Sequence, residues 1–255
     1  MTVDVTYGER TATVTFSNSG SLNALDLHTV HDLARTFESI ATRADIDVVV
    51  LGAEDPGFCA GGDLGFVAEH LNDLSSAVDQ FLDQSDALIT SLLTMPQVTV
   101  SAVDGVAAGA GLSLAAAADI SICSDRSTFY PAYARLGVPP DLGGSVTLPH
   151  RLGYRRALQL LLLHSSLDAR SAHEWGLVDD VQPQEGFSKH LSERISRILD
   201  LEQSALRATK SMLVGVHDLE SALAHERRHL KVAMSTPSYA HKIRSFVVDA
   251  VHGVS

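Results

Sequence analysis

A run of four apolar residues, Val48-Val49-Val50-Leu51, constrains this chain more than any other feature. A strand with one wet face alternates apolar and polar residues, whereas a strand apolar at every position has to be covered on both faces. Before it, Leu27, Val30, Leu33, Ala34, Phe37 and Ile40 recur at helical spacing. After it, residues 77–93 read as a helix closed by Pro96, and Val98–Val103 reads as a second buried strand. A glycine- and alanine-rich segment at residues 105–111 follows, then an apolar helix and a third strand at residues 120–123. Strand, helix and strand in this rhythm predict βαβ units and a parallel sheet. The chain opens with a hairpin that turns at Tyr7-Gly8-Glu9 and continues into a strand at residues 11–16. From Arg155 onward helical segments follow one another with hardly a strand between them, so an α/β core gives way to a helical tail.

Composition narrows the function classes. Of 255 residues, 19 are Lys or Arg and 31 are Asp or Glu, for a formal charge of -12, which argues against a nucleic-acid binder or a protein of anionic membranes. Two cysteines, Cys59 and Cys123, are too few for a disulfide scaffold at this length. The first ten residues carry no basic segment leading into an apolar one, and the least polar stretch is too short to span a bilayer. The expectation is a soluble, cytoplasmic protein.

Several short patterns each have a bland reading. His225-Glu226-Arg227-Arg228-His229 is a literal HExxH, but a zinc site needs a third ligand, and two arginines inside the motif suit a solvated helix face better. Gly109-Ala110-Gly111 sits where a dinucleotide fingerprint would, but Leu114 replaces the third glycine. What remains there is a strand-to-helix turn of little bulk, presenting backbone N–H groups and the positive end of a helix to partial negative charge. Gly111-Leu112-Ser113-Leu114-Ala115 approaches the nucleophile elbow of serine hydrolases; a small residue on a tightly packed helix is the better reading. A Gly61-Gly62 step, in a segment Phe58–Leu64 that begins some seven residues after the buried run, lets backbone come close to a ligand.

In their order along the chain these segments resemble the crotonase (enoyl-CoA hydratase/isomerase) superfamily. The likeness runs through Asn23-Ala24-Leu25-Asp26, Phe58-Cys59-Ala60-Gly61-Gly62-Asp63-Leu64, Ala102-Val103-Asp104-Gly105-Val106-Ala107-Ala108-Gly109-Ala110-Gly111 and Ala118-Asp119-Ile120. It continues through Leu136-Gly137-Val138-Pro139-Pro140-Asp141-Leu142-Gly143-Gly144, Gly176-Leu177-Val178 and Ala208-Thr209-Lys210, and so covers nearly the whole chain. The resemblance implies an α/β fold, the crotonase (ClpP-like) spiral of repeated ββα units with a C-terminal helical tail. It implies an acyl-CoA-binding core over residues 1–191 and a trimerisation segment over residues 192–255, assembling as a homotrimer or a dimer of trimers. No cofactor is expected, because coenzyme A is part of the substrate.

By motif position, the backbone N–H groups of Gly62 and Ala110 form the oxyanion hole for a thioester enolate. Leu22, Ala24, Ala60, Gly61, Asp63, Leu64, Ser113 and Tyr133 join them as substrate-binding positions, with Asp63 and Asp119 as structural carboxylates. The two glutamates with which hydratases work on water correspond here to Ser113 and Tyr133, which makes ordinary hydration doubtful, since neither hydroxyl deprotonates readily at neutral pH. Asp141 instead resembles the acid of ring-epoxide (1,2-epoxyphenylacetyl-CoA) isomerases. It is the expected base, with a carboxyl raised by desolvation toward roughly pH 5–6, and the favoured activity is an isomerase. Capping the following segment is the bland role for Asp141. A thioester or C–C hydrolase, an Asp-nucleophile dehalogenase and a non-catalytic acyl-CoA binder stand as alternatives. Lys210, Lys242 and Arg244 are the cations available for CoA phosphates. The apolar positions between residues 202 and 251 are expected to need a neighbouring chain to cover them.

Overall fold

The computed structural model describes residues 2–70, 74–163, 166–213 and 219–252. It opens with an antiparallel hairpin, β1 (Thr2–Gly8) and β2 (Thr11–Ser17). Helix α1 (Leu27–Ala41) starts at Asp26, whose carboxylate accepts from the Thr29 N–H at 2.7 Å, and it buries Val30, Leu33, Ala34, Phe37 and Ile40. Next come β3 (Val48–Ala53), α2 (Leu64–Glu69), α3 (Leu74–Thr94), β4 (Val98–Val103), β5 (Val106–Ala108), α4 (Ala110–Ala117), β6 (Ile120–Ser124) and β7 (Thr128–Tyr130). The remainder is α5 (Tyr133–Leu136), α6 (Gly144–Leu152), α7 (Tyr154–Leu163), β8 (Leu167–Asp168), α8 (Ala169–Trp175), β9 (Asp180–Gln182), α9 (Phe187–Leu199), α10 (Gln203–Leu213), α11 (Leu219–Met234) and α12 (Pro237–His252).

A six-stranded sheet runs in the order β1-β2-β3-β4-β6-β9, parallel beyond the opening hairpin, and a smaller sheet has the order β5-β7-β8. The continuous apolar run does what its composition requires. Val49 and Leu51 face the main core with Phe16, Phe37, Leu88 and Phe129, while Val48 and Val50 face the opposite side, where Phe187, Leu191 and Ile195 of α9 cover them. Burying each such side chain stabilises the fold by about 1.5–3 kcal/mol. The spiral and the helical tail match the expected architecture.

Two expectations need correction. The stretch after Arg155 is not purely helical: β8 pairs with β7, and β9 completes the edge of the main sheet beside β6. Strands of two and three residues are too short to show a period in sequence. The tail also covers itself more than expected. Leu223, Leu230, Met234, Tyr239 and Ile243 are buried within the chain, the last four in a second core with Val78 and Leu82 of α3. Arg227 reaches Asp83 (2.7 Å) and Asp86 (2.8 Å) of α3, and Lys231 reaches Asp79 (2.7 Å), which fixes α11 against that helix. Large apolar residues still stand exposed in the tail, as Met212 and Leu213 at the end of α10 and Val232 of α11, and also on α7, as the one-face stripe Tyr154, Leu158 and Leu162. Among the described residues no helix is long and apolar enough to cross a membrane.

Candidate active site

Asn23 organises one rim of the site. It is fully buried at φ 57°, donates Nδ2 to the carbonyls of Glu54 (2.6 Å) and Gly57 (2.7 Å), and accepts at Oδ1 from Asn18 N–H (2.7 Å). An amide can adopt this left-handed backbone and satisfy the loop's polar groups at once. With the loop pinned, Ala60 N–H donates to Leu22 O (3.0 Å), Leu25 N–H to Gly61 O (2.7 Å) and Asp63 N–H to Leu25 O (2.9 Å). On its other side the same segment is held by β5: Cys59 N–H donates to Val106 O (2.8 Å), and Ala108 N–H donates to Cys59 O (2.8 Å). Residues 59–63 are therefore laced on both sides. The ladder uses the Gly61 carbonyl and the Asp63 N–H and leaves the Gly62 N–H with no partner among the described residues.

The second free amide arises where α4 begins. The first N–H groups of any helix have no intrahelical acceptor. Ser113 N–H already bonds Gly109 O (3.1 Å), but Ala110 N–H has no partner among the described residues. Gly111 explains why α4 starts against the 59–62 loop: a Cβ there would lie 2.4 Å from the Cys59 carbonyl oxygen. Gly62 and Ala110 both line one cavity of about 700 Å³, and the N–H of each, one of them at a helix start, has no partner among the described residues.

The cavity wall is mostly apolar, with Leu25, Phe66, Phe81, Val138, Leu230 and Met234 among its residues. The exposed residues Arg135, His241 and Ser245 also line it, with Lys242. Two carboxylates reach it, and they differ sharply. Asp63 is committed to structure: it caps α2, accepting from Gly65 N–H (2.8 Å) and Phe66 N–H (3.1 Å), in line with its expected structural role. Asp141 has an Oδ1 that is out of solvent and unpartnered among the described residues. Burial first, and the negative charge of Glu226 second, push its carboxyl up to about 7, against a smaller downward pull from the Tyr133 hydroxyl. The upward shift exceeds the expected range because a second buried carboxylate, invisible in the local sequence, adds to desolvation.

Ser113 and Tyr133, far apart in sequence, are both buried and share a hydrogen bond of 2.5 Å between hydroxyl oxygens. Burial and then the field of Asp141 hold the Tyr133 phenol well above its ordinary pKa, so it stays protonated. Ser113 lies inside a fully buried helix with its hydroxyl on Tyr133, an arrangement unlike a nucleophile elbow.

Of the expected positions, Ala60, Gly61, Gly62, Asp63, Leu64, Ala110, Tyr133 and Asp141 line the cavity. Leu22, Ala24 and Ser113 do not: Leu22 turns its side chain outward, Ala24 is buried beneath the rim, and Ser113 sits behind Tyr133. Asp119 is structural, as expected, accepting from Thr99 N–H (2.8 Å) and pairing with Lys210 (2.7 Å). That pairing removes Lys210 as a phosphate ligand, since its ammonium is buried and also donates to Gln97 O (2.8 Å). Burial lowers the Lys210 pKa and Asp119 opposes that shift. The capping role open to Asp141 belongs to another residue. Glu226 accepts from Gly143 N–H (3.0 Å) and Ser145 N–H (2.8 Å) at the start of α6. The HExxH segment is thus a structural element whose glutamate is buried rather than solvated, and the described residues hold no cluster of three metal ligands. Tyr239 of α12 also lines the cavity, its phenol raised by burial and by Asp141, and no sequence pattern points to it.

Residues 7–247 match the enoyl-CoA hydratase/isomerase family. The chain is 30% identical over 246 residues to 1,2-epoxyphenylacetyl-CoA isomerase of Escherichia coli (strain K12), covering 92% of this chain and 91% of that protein. It is 28% identical over 250 residues to 4-chlorobenzoyl coenzyme A dehalogenase-2 of Arthrobacter sp, covering 96% and 90%. Among solved structures, an enoyl-CoA hydratase from Mycobacterium avium subsp. paratuberculosis K-10 superposes with a TM-score of 0.86 at 28% identity, covering 96% and 94%. A match from the first hairpin into the last helix embraces both the laced amide loop and the tail that closes the cavity, and it makes this chain a member of the enoyl-CoA hydratase/isomerase family.

Proposed function

We propose that the protein is an acyl-CoA isomerase that works through a thioester enolate, with the Gly62 and Ala110 amides on the thioester oxygen and Asp141 as the base. The observation that carries this reading is the contrast between the two cavity carboxylates: Asp63 is occupied with a helix start, and Asp141 has an unpartnered oxygen. The Asp141 carboxylate takes a proton from C2 of a β,γ-unsaturated acyl group. The C–H electron pair passes into the thioester, placing negative charge on its oxygen, where two preorganised donors face it. Asp141, now a carboxylic acid, returns the proton at C4, the charge collapses, and the double bond ends up between C2 and C3 with composition unchanged. A carboxyl near 7 suits both halves of that cycle, because it takes and returns a proton at neutral pH with little driving-force penalty. The exposed Arg135 and His241 and the half-buried Lys242 of the cavity lining are the residues this reading assigns to an anionic CoA moiety.

The test is solvent-deuterium exchange into the acyl chain of 3-hexenoyl-CoA, crotonyl-CoA and phenylacetyl-CoA. Asp141→Asn should slow exchange by ~10²–10⁴-fold while acyl-CoA affinity stays nearly constant, because the amide keeps size but cannot accept the proton. Exchange at the wild-type rate in that variant would overturn the assignment. The likeness to a dehalogenase favours a second reading, Asp141 as a nucleophile. That reading predicts a covalent aryl-ester adduct on Asp141, formed with loss of chloride and with the CoA thioester intact, in mass spectra of the wild type under single-turnover conditions with 4-chlorobenzoyl-CoA.

A further inference from the structure

Glu226 belongs to a motif that the proposed chemistry does not use, yet it is one of the most buried carboxylates in the chain. It comes from α11, 83 residues beyond the turn it holds. That turn is unusual. Directly after Asp141, Leu142 adopts φ 47° and Gly143 adopts φ 70°, so two consecutive residues are left-handed and the first carries a branched side chain. A non-glycine residue in this region is strained and persists only where its surroundings impose it. Here the surroundings are visible. Leu142 is buried, Gly144 N–H closes onto Asp141 O at 2.9 Å, and the two Glu226 oxygens take the N–H groups of Gly143 (3.0 Å) and Ser145 (2.8 Å).

We infer that Glu226 is a positioning residue for Asp141: it clamps the strained turn that aims Asp141 into the cavity, and it sets a second, fixed negative charge behind that carboxylate. The inference rests on the reading of Asp141 as the base and names what tunes it. The pair is electrically asymmetric. Burial, and less strongly Asp86, raise the Glu226 carboxyl, but the two backbone N–H groups it accepts oppose that rise, whereas Asp141 has an unpartnered oxygen and is raised further by the charge of Glu226. In the coupled titration Glu226 therefore ionises first, and Asp141 loses its proton against that charge. The other groups facing Asp141 are Tyr133 of α5, Tyr239 of α12 and Cys59 beside the amide loop, all held protonated by burial. Arg135, His241, Lys242 and Asp63 line the same cavity, and Arg227 pairs with Asp86 behind Glu226.

The experiment follows the carboxyl 13C titration of the full-length, ligand-free chain, with Asp141→Asn identifying the Asp141 resonance. The acid limb of deuterium exchange is recorded in parallel on the fastest of the three esters. Glu226→Gln removes the charge, and its amide carbonyl can keep one of the two acceptor contacts. The Asp141 titration and the acid limb should both move to lower pH by about one unit, giving roughly tenfold more activity relative to its own plateau well below the midpoint. Glu226→Asp, which draws the charge back by one methylene, should fall between wild type and Glu226→Gln. A folded Glu226→Gln chain whose Asp141 titrates as in wild type overturns the inference. If Glu226→Gln does not fold, an Asp141 titration in Glu226→Asp indistinguishable from wild type does so. A purely structural clamp would lower the plateau and leave the limb in place. Failure of the base reading looks different: Asp141→Asn would exchange protons normally while the Glu226 variants still shifted the titration of the free enzyme.

Discussion

Two sets of polar groups line the cavity: the backbone amides of Gly62 and Ala110, the amide pole, and the side chains of Asp141 and Tyr133, the carboxylate pole. The amide pole is assembled by sheet geometry. Parallel bridges from Leu25 to Gly62 and from Cys59 to Ala107 fix the loop, and α4 starts where the glycine step lets it approach. The carboxylate pole is assembled by tertiary contacts over long sequence distances: a hydroxyl pair between α4 and α5, a left-handed turn, and a glutamate from the tail. The amide pole should therefore tolerate changes of side chain and fail when an N–H is lost. The carboxylate pole should respond to every side chain around it.

The largest expected effect tests the first half of that contrast. Ala110→Pro deletes the N–H at the first position of α4, where proline is otherwise well accommodated because that amide has no helical acceptor. Turnover should fall by ~10²–10³-fold, the range for one missing oxyanion donor, while the folded state is retained. Ala110→Ser, which keeps the amide, should stay within a few-fold of wild type. Comparable losses in both variants, measured by deuterium exchange on the same ester, would mean that the side chain matters at this pole after all.

The contrast also explains which features are legible in the sequence. The covered strand at Val48–Leu51, the α1 stripe and the glycine-rich turns are local patterns with a fixed geometric meaning. The sheet, the strand-to-helix turn at Gly109-Ala110-Gly111 and the Gly61-Gly62 step can therefore be read from the residues alone, whereas the pairing of Gly62 with Ala110 and the structural role of Asp63 come from the family resemblance. Asp141 stands out by its motif, but its surroundings do not. The Ser113–Tyr133 bond, Tyr239 in the cavity and Glu226 on the Asp141 turn join residues whose sequence separation carries no periodic signal. Glu226 even misleads, because a helix face with His225, Arg227 and Arg228 around it looks solvated. Only packing on α3 and α6 turns that one position inward. Leu22 misleads for the opposite reason: its backbone carbonyl serves the loop, while its side chain, 54% exposed, takes no part.

A smaller effect probes how tightly the carboxylate pole is packed. A Cβ at Gly144 would lie 2.3 Å from the Ser113 hydroxyl oxygen and 3.3 Å from Pro140 Cβ. Ser113 cannot swing aside without giving up its buried bond to Tyr133. Gly144→Ala should therefore destabilise the fold by about 2–3 kcal/mol, as overpacking with a broken buried hydrogen bond does. Adding Ser113→Ala removes the clashing oxygen, so the double variant should lose less than the sum of the two single variants in denaturant melts. Strict additivity would show that the two residues do not share this contact in solution.

The smallest effect separates the stability of the carboxylate pole from its chemistry. Asp141 holds its proton more tightly in the folded chain, near 7, than at its ordinary value of 3.8. Between those two values the folded state binds more protons than the unfolded chain, so folding stability falls as pH rises through the window. Below about pH 4 the carboxyl is neutral in both states and costs nothing; above about pH 7 its buried charge is a standing penalty. The full shift corresponds to at most ~4 kcal/mol, and water in the open cavity reduces it, so on the order of 1–2 kcal/mol is expected. Asparagine cannot ionise and escapes the penalty. Asp141→Asn should thus be more stable than wild type by that amount at pH 8 and indistinguishable from it at pH 4, while being far less active than wild type at both. The amide pole offers no such gain, since Ala110→Pro removes no charge and its effect on stability should not depend on pH. Thermal melts of both variants at the two pH values decide the matter: an equal Asp141→Asn effect at pH 4 and pH 8 would mean that this carboxyl is not held in its raised state by the fold.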